Sequence, residues 1–208
     1  MILRIAAIAA ASVLAALPAG CSSTPSHLFT LSPSATATAK PDVISSTLAV
    51  VVGTVSIPAI VDVPQIVVHK GPNQASLDEF NRWASPLRTN IAQVVVANLA
   101  AMLGTSHVSS VLIGDADYRV AIDVQIFDSV PGEAATLSAL WTVRRVKDGK
   151  AETGRTAVRE ASAQMGYDAL AAAHSRALSR LSQDIADAIQ VLDRAGASQA
   201  LTSPRDGG

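Results

Sequence analysis

In Tyr118-Arg119-Val120-Ala121-Ile122-Asp123-Val124-Gln125-Ile126, large apolar side chains alternate with small or polar ones. A strict period of two is the mark of a strand with one face on a core and one face in water. Downstream, Leu137, Ala139, Trp141 and Val143 alternate with Ser138, Thr142 and Arg144. Val130-Pro131-Gly132-Glu133 reads as the turn between these two runs, and Asp148-Gly149 as a two-residue hairpin turn. A return strand follows over roughly 151–161. Residues 117–162 therefore read as an antiparallel meander with one apolar face.

Outward from the meander lie two helical patterns. Ile91, Val94, Val95, Leu99 and Met102 form one stripe over Arg88–Leu103, with Asn90, Gln93 and Asn98 off it. Gly104 is placed to end that helix and Ser85-Pro86 to begin it, as N-cap and first helical residue. Leu170, Ala177, Leu178, Leu181, Ile185, Ala188, Ile189 and Leu192 form a second stripe over Tyr167–Arg194. The β-branched run Leu48-Ala49-Val50-Val51-Val52 reads as a strand buried on both faces, and Gln65–His69 as another short strand before the turn Gly71-Pro72-Asn73. The expected fold class is α/β: a single α/β sandwich, a mostly antiparallel sheet packed on one face by two amphipathic helices.

The chain of 208 residues opens with one positive charge, Arg4, and an apolar stretch from Ile5 to Leu17. These features describe a signal peptide over residues 1–20, too short to span a bilayer. Ala19-Gly20-Cys21 resembles the bacterial lipobox, with Pro18 where Leu is usual and Leu17 one step earlier. The resemblance implies cleavage before Cys21 and acylation of that cysteine, a firm membrane anchor. A plain secreted protein is the alternative. Ser22 after the cysteine implies, by the same resemblance, export to the outer membrane. Ser22–Ser46 is rich in Ser, Thr, Pro and Ala, with an apolar island at Leu28-Phe29-Thr30-Leu31. It reads as a tether with one short strand, lifting the domain of residues 47–194 off the membrane. Residues 195–208 read as a disordered tail.

Composition narrows the function. Sixteen Lys and Arg against 17 Asp and Glu leave a net charge of −1, with no basic surplus to neutralise phosphates, so no nucleic-acid partner is expected. One cysteine cannot support a disulfide framework or a Cys-based metal site. His27, His69, His107 and His174 show no metal-ligand spacing, and no nucleotide-binding motif or Ser nucleophile elbow is present. His174 falls on the apolar stripe of the last helix, where a buried histidine with one hydrogen bond is the plain reading. Asp78-Glu79 and Asp115-Ala116-Asp117 read as solvated loop carboxylates. No catalytic, cofactor or metal residue is assigned, and the protein is not expected to be an enzyme.

Two segments stand out. In Ile57-Pro58-Ala59-Ile60-Val61-Asp62-Val63-Pro64-Gln65-Ile66-Val67-Val68, two prolines frame an apolar loop with one carboxylate. In Phe80-Asn81-Arg82-Trp83-Ala84-Ser85-Pro86-Leu87, an aromatic stands beside an arginine at a helix mouth. One reading is a packed loop cluster, with Trp83 capping the sheet edge. The other is a contact surface for a partner or lipid, with Asp62, Gln65, Arg82 and Trp83 as its candidate residues. The segments resemble the I-P-x-x-x-D-x-P-Q-I-V and R-W-x-x-P-L patterns of the PqiC-like family, the ABC-type transport auxiliary lipoproteins. Phe29-Thr30-Leu31-Ser32 is similar to that family's opening strand, with Phe29 where Tyr is common, and Val63 stands where many members have Arg. The resemblance covers most of residues 27–192. It implies an outer-membrane lipoprotein, facing the periplasm, that docks a mammalian-cell-entry-type protein and its inner-membrane partners in lipid transport. A structural envelope lipoprotein without a transport partner is the alternative, and a homo-oligomer is conceivable.

Overall fold

The computed structural model describes residues 25–34, 47–111, 114–162 and 164–202. The expected signal peptide, Cys21, residues 22–24 and 35–46 of the expected tether and residues 203–208 of the expected tail lie outside the described residues. Eight strands and two long helices follow in the order β1 (His27–Phe29), β2 (Val50–Ser56), β3 (Gln65–Gly71), β4 (Gln74–Trp83), α1 (Leu87–Leu103), β5 (Val108–Ser109), β6 (Tyr118–Val130), β7 (Ala134–Arg145), β8 (Ala151–Ala161) and α2 (Tyr167–Thr202). A 3-10 turn, Ala59–Val61, separates β2 from β3.

The meander is β6, β7 and β8, paired antiparallel with Val120 opposite Val143 and Leu137 opposite Val158. Its alternation buries Tyr118, Val120, Ile122 and Val124 on one face and exposes Arg119, Ala121 and Asp123 on the other. The β7–β8 connection is longer than the expected two residues. Arg144 pairs with Ala151, Arg145 N–H donates to Lys150 O, and Gly149 takes the left-handed conformation at φ 72°. β2 lies parallel to both β6 and β5, completing a five-stranded sheet ordered β5-β2-β6-β7-β8. Both helices cover its apolar face, α2 over β7 and β8 and α1 against β2 and α2. Among the described residues no helix is long and apolar enough to cross a membrane.

A second sheet was not expected. β3 and β4 form an antiparallel hairpin, and β1 pairs parallel with the end of β4, His27 to Asn81 and Phe29 to Trp83. β4 carries Gln74, Asp78, Glu79, Asn81 and Arg82, so it lacks the apolar alternation that announces a strand. A register jump opens it in the middle: Gln65 faces Arg82 while Ile66 faces Asp78, leaving residues 79–81 as a bulge. Asp78 closes the bulge, its Oδ1 accepting from the backbone N–H of Phe80 at 3.0 Å and Asn81 at 2.9 Å. Its Oδ2 accepts from the Tyr167 hydroxyl at 2.6 Å, and Tyr167 packs on Phe29 with ring centroids 5.8 Å apart. That hydroxyl is the main cause holding the Asp78 carboxyl below its usual range. Tyr167, half-buried, is pushed up to about 12, by burial first and Asp78 second.

Three local expectations are corrected. Pro86 is the N-cap of α1, with φ −51° and ψ 126°, and Leu87 is its first helical residue; no side chain caps it. α2 continues to Thr202 rather than ending at Arg194. Asp117 is not merely solvated, because its Oδ2 accepts from the Ala49 N–H at 2.8 Å and fixes the entry to β2.

The largest correction concerns the tether. The short strand expected at the apolar island is β1, but the residues after it, through Ser34, are not a loose stretch: they strap the groove between the helices. Leu31 is buried, and the strap's backbone polar groups need partners where water is excluded. Asn90 supplies two: its Oδ1 accepts from Leu31 N–H at 2.8 Å and its Nδ2 donates to Leu31 O at 3.4 Å. Ser175 Oγ accepts from Ser32 N–H at 3.0 Å, and Asn98 Oδ1 from Ser34 N–H at 3.2 Å. Asn98 also donates to Ser182 Oγ at 3.3 Å. Asn90 and Asn98, off the apolar stripe of α1, are buried because the strap covers them. Replacing Asn90 by Ala leaves the Leu31 N–H buried and unpaired and should destabilise the fold by about 1–3 kcal/mol. Urea unfolding should show this as a lower midpoint at an unchanged slope.

Candidate partner-contact site

The two singled-out segments meet in space. The Pro58–Pro64 loop and the Trp83–Leu87 connection border one cleft of about 350 Å³, lined by Asp62, Val63, Pro64, Trp83, Pro86 and Leu87. Backbone bonds join the walls: Trp83 N–H donates to Pro64 O at 2.8 Å, and Ala84 N–H to Phe29 O at 2.8 Å. The cleft therefore sits where β1, β4 and the 3-10 turn converge on the start of α1.

The four candidate residues divide. Asp62 is half-exposed at the rim, its Oδ2 2.5 Å from Arg88 Nη2. A basic residue in the first turn of a helix opposes the helix dipole, and Asp62 offsets that by pairing with it. Arg88 was not singled out from the sequence; its position two residues after Pro86 is the only signal it offered. Gln65 and Arg82 are opposite each other in register and half-buried. Gln65 Nε2 reaches Glu79 at 3.5 Å, and the buried Arg82 Nε has no hydrogen-bond partner among the described residues. Trp83 differs: it is only 7% exposed and packs edge-on against Phe127, centroids 6.3 Å apart at 71°. It is the buried floor of the cleft, a core side chain rather than an exposed anchor.

Phe127 carries the packing onward to α2. The His174 ring stacks on it at 3.8 Å and 6°, and His174 Nε2 hydrogen-bonds Ser129 Oγ at 2.8 Å. His174 is fully buried, and desolvation lowers its pKa to about 3. This is the core histidine with one hydrogen bond that its stripe position implied. Asp78-Glu79, expected in a loop, lies on β4, with Asp78 committed to the bulge. No cluster of three or more His, Cys, Asp or Glu capable of holding a metal occurs among the described residues. The cleft thus offers an apolar floor and a charged rim, an arrangement suited to binding.

Two outcomes follow. Trp83→Ala should cost about 3–5 kcal/mol of stability, as for other buried aromatics, whereas Asp62→Asn should change it by less than about 1 kcal/mol; thermal unfolding of the two variants checks this. The folded state keeps His174 neutral, while in the unfolded chain it takes up a proton near pH 6.5. Its contribution is therefore complete above that pH and is lost as pH falls from about 6.5 toward 3. Across pH 7 to 5, the wild-type unfolding constant should rise faster than that of His174→Gln, by at most about tenfold per pH unit. Urea titrations at each pH read this out.

Comparison with known proteins agrees with this architecture. The family model for the ABC-type transport auxiliary lipoprotein component matches residues 29–186. Two crystal structures share the fold. One, an uncharacterized protein, is 20% identical, with a TM-score of 0.66 over 80% of this chain and 99% of its own. The other, a Xanthomonas campestris protein of the DUF330 family, is 21% identical, with a TM-score of 0.64 over 83% of this chain and 99% of its own. No curated protein matches the chain.

Proposed function

The chain belongs to the family of ABC-type transport auxiliary lipoprotein components, and from that premise we propose that it is the outer-membrane-anchored, periplasm-facing docking subunit of a mammalian-cell-entry-type lipid transport system. The observation that carries this reading is the family match, which spans both sheets, the cleft and most of α2. In this reading Cys21 bears the acyl anchor and no reaction is catalysed; the protein holds a partner at the membrane.

The contact face would be the cleft rim, where Asp62 pairs with Arg88, together with Gln65 and Arg82 on the adjoining outer face of the small sheet. A charged pair above an apolar floor gives a partner both a burial site and a register. Trp83 would act by shaping the floor, so its substitution would weaken capture through lost packing. Asp62 and Arg88 are the sharper probes, because their exposure separates binding from folding.

The test is affinity purification of the tagged full-length protein from detergent-solubilised envelopes, followed by mass spectrometry. Wild type should recover a mammalian-cell-entry-domain protein with its inner-membrane partners, and Asp62→Arg should recover markedly less at equal stability. Recovery of the lipoprotein alone, under conditions that keep other envelope complexes intact, would overturn the reading and leave a structural envelope lipoprotein in its place.

A further inference from the structure

Both helices pack on the inner face of the five-stranded sheet, and the small sheet meets it through β3 at β6. The ladder registers place the side chains of the other, outer face. Near the β7–β8 turn, Arg119 of β6 and Arg144 of β7 stand directly opposite each other, with Val51 of β2 and Ala151 of β8 on either side. Four residues along β6, the corresponding row is Ser56, Asp123, Leu140 and Arg155. Between the two rows lie only the small side chains of Ala121, Thr142 and Thr153. Arg119, Arg144, Arg155 and Leu140 are all exposed.

Like charges directly opposite on a sheet face are destabilising. Nothing within the fold relieves this pair. Among the described residues, no carboxylate forms an ion pair with Arg119, Arg144 or Arg155. Arg144 Nη1 donates to Gly149 O at 2.9 Å, and Arg155 donates to Ser138 Oγ from Nε at 3.1 Å and from Nη2 at 3.0 Å. These neutral acceptors orient the guanidinium groups without cancelling their charge, and each group keeps N–H donors to spare. The nearby carboxylates are engaged elsewhere. Asp148, in the adjoining turn, pairs with Arg145 at 2.6 Å, and Asp123 accepts from the Ser56 hydroxyl. A chain of net charge −1 thus concentrates positive charge on one open face.

We infer that this face binds an acidic segment of another protein, whose carboxylates settle on Arg119, Arg144 and Arg155. The inference follows from the register of the large sheet and depends on neither the cleft nor the anchor. Guanidinium groups take carboxylates through paired N–H bonds, which makes arginine common in protein interfaces. The Ala and Thr side chains between the two rows form a flat floor on which an extended chain can lie. The rows are four residues apart, about 13 Å at ~3.3 Å per residue, and residues four apart on an extended chain share a face. Leu140, level with Arg155, adds an apolar contact. A lipid surface is a poorer match, because interfacial segments bury a broad apolar face and this patch has one large apolar side chain.

The experiment titrates the full-length protein, in neutral detergent, into a fluorescein-labelled peptide of alternating Glu and Thr, with the Gln–Thr peptide as control, and reads anisotropy. The Glu–Thr peptide should bind about tenfold or more tightly than the control. Arg119→Gln and Arg144→Gln should each weaken that binding several-fold. Arg180→Gln makes the same change in charge at an exposed position of α2, on the other side of the sheet, and should leave it nearly unchanged. Both sheet variants should melt no lower than wild type, since each removes one member of a like-charged pair. Equal weakening by all three substitutions would mean a response to net charge alone and would overturn the inference, as would equal affinity for the two peptides. Two further results would also overturn it by naming another occupant. One is Arg119-dependent binding of dihexanoyl phosphatidylglycerol with no binding of either peptide. The other is self-association in sedimentation that Arg119→Gln abolishes.

Discussion

Two asparagine side chains on α1 hold the start of the chain inside the fold. Asn90 and Asn98 present carboxamides to a strap whose backbone would otherwise have no partner between two apolar helices. An unpaired buried amide is costly, so the strap and the asparagines depend on one another. Ser175 completes the arrangement from α2, its Oγ accepting from the Ser32 N–H and its hydroxyl donating to Ala171 O. Because the strap is fixed, β1 is fixed. Because β1 is fixed, the small sheet acquires its third strand, and Phe29 reaches Tyr167.

The small sheet in turn positions the cleft. Its inner row, Phe29 beside Trp83, faces the helices and leads through Phe127 to His174. Its outer row, Leu28 beside Arg82 beside Gln65, faces away. The two ends of the sheet therefore differ. One has the bulge, the hairpin and the entering chain; the other has the cleft with its Asp62–Arg88 pair.

Much of this was legible in the residues, and the failures have physical causes. The meander could be read because one buried face imposes a period of two on β6 and β7. The α2 stripe could be read because burial against a sheet imposes 3.6, and even His174 on that stripe was placed correctly in the core. β4 was obscured by its polar surface and by a bulge that breaks its alternation. The strap was obscured because its partners lie 59 or more residues away, where no local pattern can reveal them. Arg82-Trp83 left open a packed cluster and a joint contact surface, and strand geometry separates the two, because adjacent residues on a strand point to opposite faces. One of the pair had to turn inward, and the apolar one did.

The account stands on the strap being part of the folded domain rather than a spacer. Native-state hydrogen exchange of the full-length protein tests this directly. Backbone amides of Leu31, Ser32 and Ser34 should exchange as slowly as those of α1, since opening them requires loss of the Asn90, Ser175 and Asn98 bonds. Exchange within seconds across residues 27–34, beside a protected α1, would contradict it: the segment would be a free tether rather than part of the domain.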